Sequence, residues 1–99
     1  MNDKDVTRTL FIGNLDPDVD ENELKKLFDR FGYIEDIDIK RIPHKKPYAF
    51  IKYINLDMAY NAKMEMNDKL IGKFEIKIGF GKFTILLLYL IKPIIIYIL

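Results

Sequence analysis

Aromatic and basic side chains alternate in one short stretch of the chain, residues 46–53. Side chains of an extended strand point to its two faces in turn, so Tyr48, Phe50 and Lys52 share one face. By the same parity, Phe11 lies opposite its aliphatic neighbours in an earlier apolar run. Aromatic faces can stack on unpaired bases, each contact contributing about 1–3 kcal/mol, and lysines can meet phosphates or base edges.

The composition leaves little material for an active site. The formal net charge is +1, there is no cysteine, and the single histidine is His44. Without cysteine there is no disulfide, thiolate metal site or cysteine nucleophile. The sequence also has no glycine-rich phosphate loop, no paired carboxylates in an expected pocket and no metal-ligand spacing. We therefore expect neither an enzyme nor a cofactor or bound metal.

Strands and helices alternate along the chain and determine where these side chains lie. Apolar residues recur with a helical period at Leu24, Leu27, Phe28 and Phe31, before Gly32. The full set of expected elements is a strand at Thr9–Leu15, a helix at Asp20–Gly32, strands at Tyr33–Lys40 and Tyr48–Tyr53, a helix at Leu56–Asn67, a turn at Lys69–Gly72 and a strand at Phe74–Ile78. This order predicts an α+β fold, the ferredoxin-like β-α-β-β-α-β sandwich, in which a four-stranded antiparallel sheet packs on two helices.

The two helices can cover only one face of such a sheet, and the aliphatic side chains suit that face. Phe11, Tyr48 and Phe50 are then left together on the opposite face, where an exposed aromatic cluster indicates use. Parity argues against the interpretation that they pack in the core. It does not exclude a covering segment.

Two short motifs resemble those of the RNA recognition motif (RRM) family. Residues 46–53 resemble the RNP1 octamer at every position except Pro47, where glycine is usual, and residues 10–15 resemble the RNP2 hexamer. The resemblance covers about residues 7–82. It implies binding of single-stranded RNA on the sheet. The alternative is a protein-binding RRM, whose sheet or helix face holds a partner peptide.

The resemblance and the parity together nominate seven RNA-binding residues. They are Phe11, Tyr48, Phe50, Lys46, Lys52, Lys40 and Lys77. The basic loop that includes Lys40, Arg41, His44, Lys45 and Lys46 could equally be a solvated hairpin tip. Asp36 and Asp38 share the expected binding face and repel phosphates, although they could accept hydrogen bonds from base amino groups. Since Pro47 also lacks the freedom of glycine, we expect modest affinity.

Three segments resemble an RRM of the Spen (split ends) family. They are residues 7–15, residues 31–40 and residues 76–82, with the strand-two run and the Gly-Phe-Gly-Lys ending as the distinctive parts. Members of that family are nuclear, multi-RRM proteins linked to transcriptional repression and RNA processing. The resemblance therefore implies a nuclear location, and it makes the chain look like a fragment or a shortened relative.

The expected organisation is a disordered N-terminus at 1–7, an RRM domain at 8–82 and an apolar tail at 83–99. The tail has three interpretations. We favour a non-native end of a truncated gene product, because the change in composition falls where an RRM would end. A segment folded back over the sheet is the second interpretation, and a membrane anchor is the least favoured, because Lys92-Pro93 interrupts a short run. We expect a monomer.

Overall fold

The computed structural model describes residues 6–81. The expected apolar tail and most of the expected disordered N-terminus lie outside these residues, so the domain boundaries stay a prediction. Val6, just ahead of the expected boundary at residue 8, is half-buried and packs against the core. The elements are β1 Thr9–Gly13, α1 Glu21–Phe28, a 3-10 turn Asp29–Phe31, β2 Ile34–Lys40, β3 Tyr48–Tyr53, α2 Leu56–Met66, β4 Leu70–Ile71, β5 Phe74–Glu75 and β6 Lys77–Phe80.

Four of these strands form one antiparallel sheet in the order β2-β3-β1-β6. The two strands with the motif sequences, β1 and β3, are therefore central neighbours. The helices pack on one face of the sheet, and the buried side chains of both layers form a single core. The predicted fold class, a ferredoxin-like sandwich of two helices and a four-stranded antiparallel sheet, is confirmed.

The first helix begins and ends on residues suited to those positions. The Asp20 side chain accepts a hydrogen bond of 2.8 Å from the Glu23 backbone N–H, which satisfies one of the open donors of the first turn. Leu24 and Phe28 are buried on the sheet side. The predicted helix ran to Gly32, whereas α1 ends at Phe28. The last turn tightens into a 3-10 turn at Asp29–Phe31, and Gly32 follows with a φ of +146°.

The second helix carries small residues against the sheet. Asn55 accepts a hydrogen bond of 3.0 Å from the Met58 backbone N–H and so begins the helix. Ala59, Ala62 and Met66 are buried, and the two alanines let α2 lie close to the strands. Neither helix within residues 6–81 is long and apolar enough to cross a membrane.

On the face that the helices cover, the central strands contribute side chains to the core. The residues of β1 and β3 that are fully buried there are Leu10, Ile12, Ala49, Ile51 and Tyr53. The Tyr53 hydroxyl donates a hydrogen bond of 2.7 Å to the Phe28 carbonyl, which joins β3 to the end of α1. A buried hydroxyl without such a partner would cost the domain free energy.

The last strands of the described residues differ from the expectation. The prediction of a turn at Lys69–Gly72 followed by a single strand at Phe74–Ile78 was wrong. Leu70–Ile71 instead pairs with Phe74–Glu75 in a separate two-stranded hairpin. Ile76 lies between this hairpin and β6, where its N–H donates to the Lys69 carbonyl at 2.9 Å. The strand that joins the main sheet is instead Lys77–Phe80.

Candidate nucleic-acid interface

The central strands place their side chains as parity predicts. Phe11 pairs with Phe50 across β1 and β3, and both side chains lie on the face opposite the helices. Along β3, Tyr48, Phe50 and Lys52 are half-buried, whereas the residues between them are fully buried. The face of the sheet opposite the helices is called the open face below.

The three aromatic rings form one cluster on the open face. Phe11 lies with its ring centroid 5.8 Å from that of Tyr48 and 6.1 Å from that of Phe50, and the Tyr48 and Phe50 centroids are 5.8 Å apart. These separations are within the range of favourable tilted and edge-to-face ring pairs. The structure thus brings together all three aromatic residues nominated from the sequence.

The cluster is built around Phe11, which is only 6% exposed although it lies outside the core between helices and sheet. Its ring extends along β1 over Gly13. A Cβ at Gly13 would lie 3.0 Å from two ring carbons of Phe11, closer than most contacts allow. Because glycine has no Cβ, the Phe11 ring can lie over residue 13 and beside Tyr48 and Phe50.

The edge strand β2 places charged residues beside the cluster. Asp36 pairs with Lys52, Asp38 with Phe50 and Lys40 with Tyr48. These pairs confirm that both aspartates lie on the open face. The Lys40 ammonium lies 2.9 Å from the Asp38 carboxylate, and this hydrogen bond raises the pKa of Lys40 above its usual value.

The other two nominated lysines of the strands also have acidic partners. Lys52 lies 3.6 Å from the Glu35 carboxylate, which Arg8 approaches to 3.7 Å. Lys77, on the edge strand β6, forms an ion pair with Asp68, and this hydrogen bond raises the pKa of Lys77. The side chains of these three lysines are 40–61% exposed, so each ammonium can move from its acid to a phosphate.

Lys46 lies at one end of the aromatic cluster, two residues before Tyr48. Its ammonium is 4.2 Å from the ring centroid of Phe74, a cation–π contact that the sequence did not indicate. Pro47, which departs from the RNP1 pattern, is buried and accepts a hydrogen bond of 3.2 Å from the Leu15 N–H through its carbonyl. The proline thus fixes the loop end from which Lys46 projects.

Arg41 of the basic loop has a structural role. Its guanidinium donates to the carbonyls of Pro17 and Val19, both at 2.9 Å, and so holds the β1–α1 loop against the end of β2. His44 is exposed at the loop tip.

Asp16, which the sequence did not single out, fastens the β1–α1 loop to the small hairpin. Its carboxylate accepts hydrogen bonds of 2.9 Å from the backbone N–H groups of Asp18 and Lys73. These two bonds lower the pKa of Asp16, the bond from Asp18 being the larger cause. Gly72, at a φ of +66°, leaves room for this carboxylate. In the sequence, the only sign of this region is Asp16-Pro17-Asp18, a run of residue types that is typical of a turn.

The helix layer carries a shallow groove on the other side of the domain. It is lined by Arg30, Phe31, Asn61, Met64 and Glu65. Arg30 crosses it, 3.0 Å from the Glu65 carboxylate and 4.4 Å from the Phe31 ring centroid. Met64 is 60% exposed beside it. This groove is the place where the protein-binding alternative would apply.

Sequence comparison finds the same family over most of the described residues. The family model "RNA recognition motif" matches residues 10–77. The chain is 50% identical to RNA-binding protein spenito of Drosophila melanogaster over 80 residues, which are 79% of this chain and 10% of that protein. It is 43% identical to protein split ends of Drosophila melanogaster over 76 residues, 77% of this chain and 1% of that protein. The resemblance to Spen-family RRMs is confirmed.

The fold is similar to that of solved RRM structures. The structure of the first two RRM domains of the yeast poly(U)-binding protein matches this chain with a TM-score of 0.72 at 35% identity. The match covers 75% of this chain and 46% of that one. As predicted, the chain is a binding module and not an enzyme, since the family it matches consists of binding modules. From the family model and the shared fold, the chain belongs to the RNA recognition motif family.

Proposed function

We propose that this domain binds single-stranded RNA by stacking unpaired bases on Phe11, Tyr48 and Phe50. The observation that carries the proposal is the ring cluster on the open face, with centroids 5.8–6.1 Å apart. Within residues 6–81 both helices pack on the opposite face, so the half-buried rings of Tyr48 and Phe50 offer flat apolar surface to a planar partner. Bases are the planar partner that the family's name indicates.

The names of two relatives support this proposal, because both names refer to RNA binding. Spenito is named an RNA-binding protein, and the yeast structural relative is named for poly(U) binding. The chain spans about a tenth of spenito's length, so the activities of such long proteins are not carried over as a whole. We propose a role in nuclear RNA processing or transcriptional regulation, in which this domain supplies RNA contact and acts as a monomer.

The lysines set the strength of binding. Lys40, Lys52 and Lys77 each have a carboxylate neighbour, so a phosphate must compete with an existing ion pair. Lys46 has an aromatic neighbour instead and keeps its full charge available. Because exposed ion pairs are worth less than about 1 kcal/mol, the competition weakens but does not prevent phosphate contact. We therefore propose modest affinity with a clear dependence on salt.

The test is a titration of fluorescently labelled single-stranded RNA, followed by anisotropy, with Tyr48→Ala and Phe50→Ala. Each variant should bind at least about fivefold more weakly, because each removes one stacking surface. Met64→Ala is the matched control, since it truncates an exposed apolar side chain in the helix layer. The stacking mechanism fails if both folded variants bind like the unchanged protein.

The alternative function is peptide binding in the groove beside Arg30 and Glu65. The two functions can be distinguished by which backbone amide resonances shift when the ligand is added. Stacking of RNA on the open face should shift the amide resonances of β1 and β3, whereas a peptide in the groove should shift those of the 3-10 turn Asp29–Phe31 and of α2. If RNA leaves β1 and β3 unchanged, the groove becomes the stronger candidate site.

A further inference from the structure

Asp38 stands directly beside one of the stacking rings. It is the cross-strand partner of Phe50, with β2 and β3 antiparallel at this position. Side chains of such a pair leave the same face of the sheet with their Cβ atoms roughly 5 Å apart. A base stacked on Phe50 is a planar ring that extends over the neighbouring strand, so its edge comes within reach of the Asp38 carboxylate.

The Asp38 carboxylate has an ion-pair partner on its own strand. One of its oxygens lies 2.9 Å from the Lys40 ammonium, and Lys40 in turn pairs across the strands with Tyr48. The pair therefore lies along the cluster, on the face where a stacked base would lie. Because an exposed ion pair is weak, Lys40 can turn to a phosphate while the Asp38 carboxylate accepts a hydrogen bond from the base.

Asp36 adds a second carboxylate on the same face. Its cross-strand partner Lys52 approaches Glu35 instead, at 3.6 Å, where β2 has a register irregularity between Ile34 and Asp36. Within residues 6–81, none of the ion pairs involves Asp36. The edge of the cluster along β2 thus offers hydrogen-bond acceptors next to Phe50, with negative charge that no lysine fully covers.

An ionised carboxylate only accepts hydrogen bonds. Cytosine presents an amino group at its exocyclic N4, and Asp accepts from that group in base recognition. Uracil has the same ring but presents a carbonyl oxygen at that position, so two acceptors would face each other. Resting on the proposed stacking function, we propose that Asp38 makes the position over Phe50 selective for a base with an exocyclic amino group, cytosine over uracil.

The experiment compares two labelled RNA pentamers, all cytidine and all uridine, at one salt concentration with the full chain. The unchanged protein should bind the cytidine pentamer about tenfold more tightly, as expected for one hydrogen bond to a charged acceptor. Asp38→Asn should bring the two affinities within about twofold, because an amide can both accept from the amino group and donate to the carbonyl.

The ratio of the two affinities is the readout, since Asp38→Asn also releases Lys40 and changes binding of both pentamers together. Asp57→Asn, which removes the same charge from the exposed first turn of α2, is the matched control and should leave the ratio unchanged. A folded Asp38→Asn variant that keeps the ratio, or an unchanged protein that prefers uridine, overturns the inference while the loss of binding in Phe50→Ala still supports stacking. If neither pentamer binds the unchanged protein, the proposed function is overturned as well.

Discussion

Phe11 and Phe50 are direct partners across the two central strands, and their ring centroids lie 6.1 Å apart. The two rings differ in burial, since Phe11 is 6% exposed and Phe50 is half-buried. Phe11 therefore both presents a surface and supports its neighbours. A loss of function at Phe11 must for this reason be separated from a loss of support.

Phe11→Leu separates the two roles. Leucine keeps most of the apolar volume beside Tyr48 and Phe50 but has no aromatic face. We expect RNA affinity to fall by about fivefold or more, as one stacking contact is lost. The free energy of unfolding should fall by less than about 2 kcal/mol. RNA titration and urea unfolding measure the two quantities. Equal RNA affinity in a stable Phe11→Leu protein would contradict stacking on this ring.

Lys46→Gln tests phosphate contact at the end of the cluster. If the ammonium beside Phe74 neutralises one phosphate, the slope of log affinity against log salt concentration should become shallower by about 0.7 in the variant. Lys26→Gln, in the exposed last turn of α1, is the control with the same loss of charge on the helix layer. Identical slopes for Lys46→Gln and the unchanged protein would remove Lys46 from the interface.

The open face could be predicted because parity is a local property. Once β1 and β3 are strands, the alternation at Tyr48, Phe50 and Lys52 needs only the pleat of the backbone. The acidic partners of the lysines could be identified only from the three-dimensional structure. Lys52 has Asp36 as its cross-strand neighbour and yet approaches Glu35, because the register irregularity in β2 changes which carboxylate is in reach.

The predicted strand at Phe74–Ile78 shows the limit of periodicity. Apolar and charged residues alternate without interruption from Phe74 to Ile78, so one strand and two strands give the same pattern. The break at Ile76 depends on its hydrogen bonds with Asp68 and Lys69. Lys69 begins the predicted turn at Lys69–Gly72, and Asp68 directly precedes it. No local pattern in the sequence predicts these hydrogen bonds.

Tyr53→Phe tests the hydrogen bond that ties β3 to α1. The Tyr53 hydroxyl is buried and donates to the Phe28 carbonyl at 2.7 Å. Its removal should lower the free energy of unfolding by about 1–2 kcal/mol, measured by urea unfolding. RNA affinity should not change, because Tyr53 lies on the core face. A large loss of RNA binding in a folded Tyr53→Phe protein would mean that the two faces are coupled.

Burial raises the pKa of the Tyr53 phenol above its ordinary value of 10.0, with the charge of Asp29 adding to the effect. In the unfolded chain the phenol loses its proton first, so the stability that its neutral form contributes should decline as the pH rises above about 10. Unfolding measured between neutral and strongly alkaline pH should show this decline in the unchanged protein. It should be smaller in Tyr53→Phe, and an equal decline in both would exclude the phenol as its source.

Asp16 should make the domain sensitive to acid. Hydrogen bonds from the N–H groups of Asp18 and Lys73 lower the pKa of Asp16 below its ordinary 3.8. The unfolded chain therefore takes up this proton before the folded domain does. The stability that the carboxylate contributes is complete above the unfolded pKa and is lost as the pH falls through the lower, folded one. Thermal unfolding from neutral pH down to about pH 2 should show a falling midpoint.

Asp16→Asn identifies the source of that acid sensitivity. The amide keeps one acceptor oxygen but presents an N–H₂ group to one of the two backbone donors, so one hydrogen bond is lost and two donors face each other. The variant should unfold at a lower temperature near neutral pH and lose less further stability on acidification. Asp18→Asn is the control, because Asp18 is exposed and contributes only its backbone N–H to this site. If Asp18→Asn flattens the acid dependence as much as Asp16→Asn, the carboxylate of Asp16 is not what joins the β1–α1 loop to the hairpin.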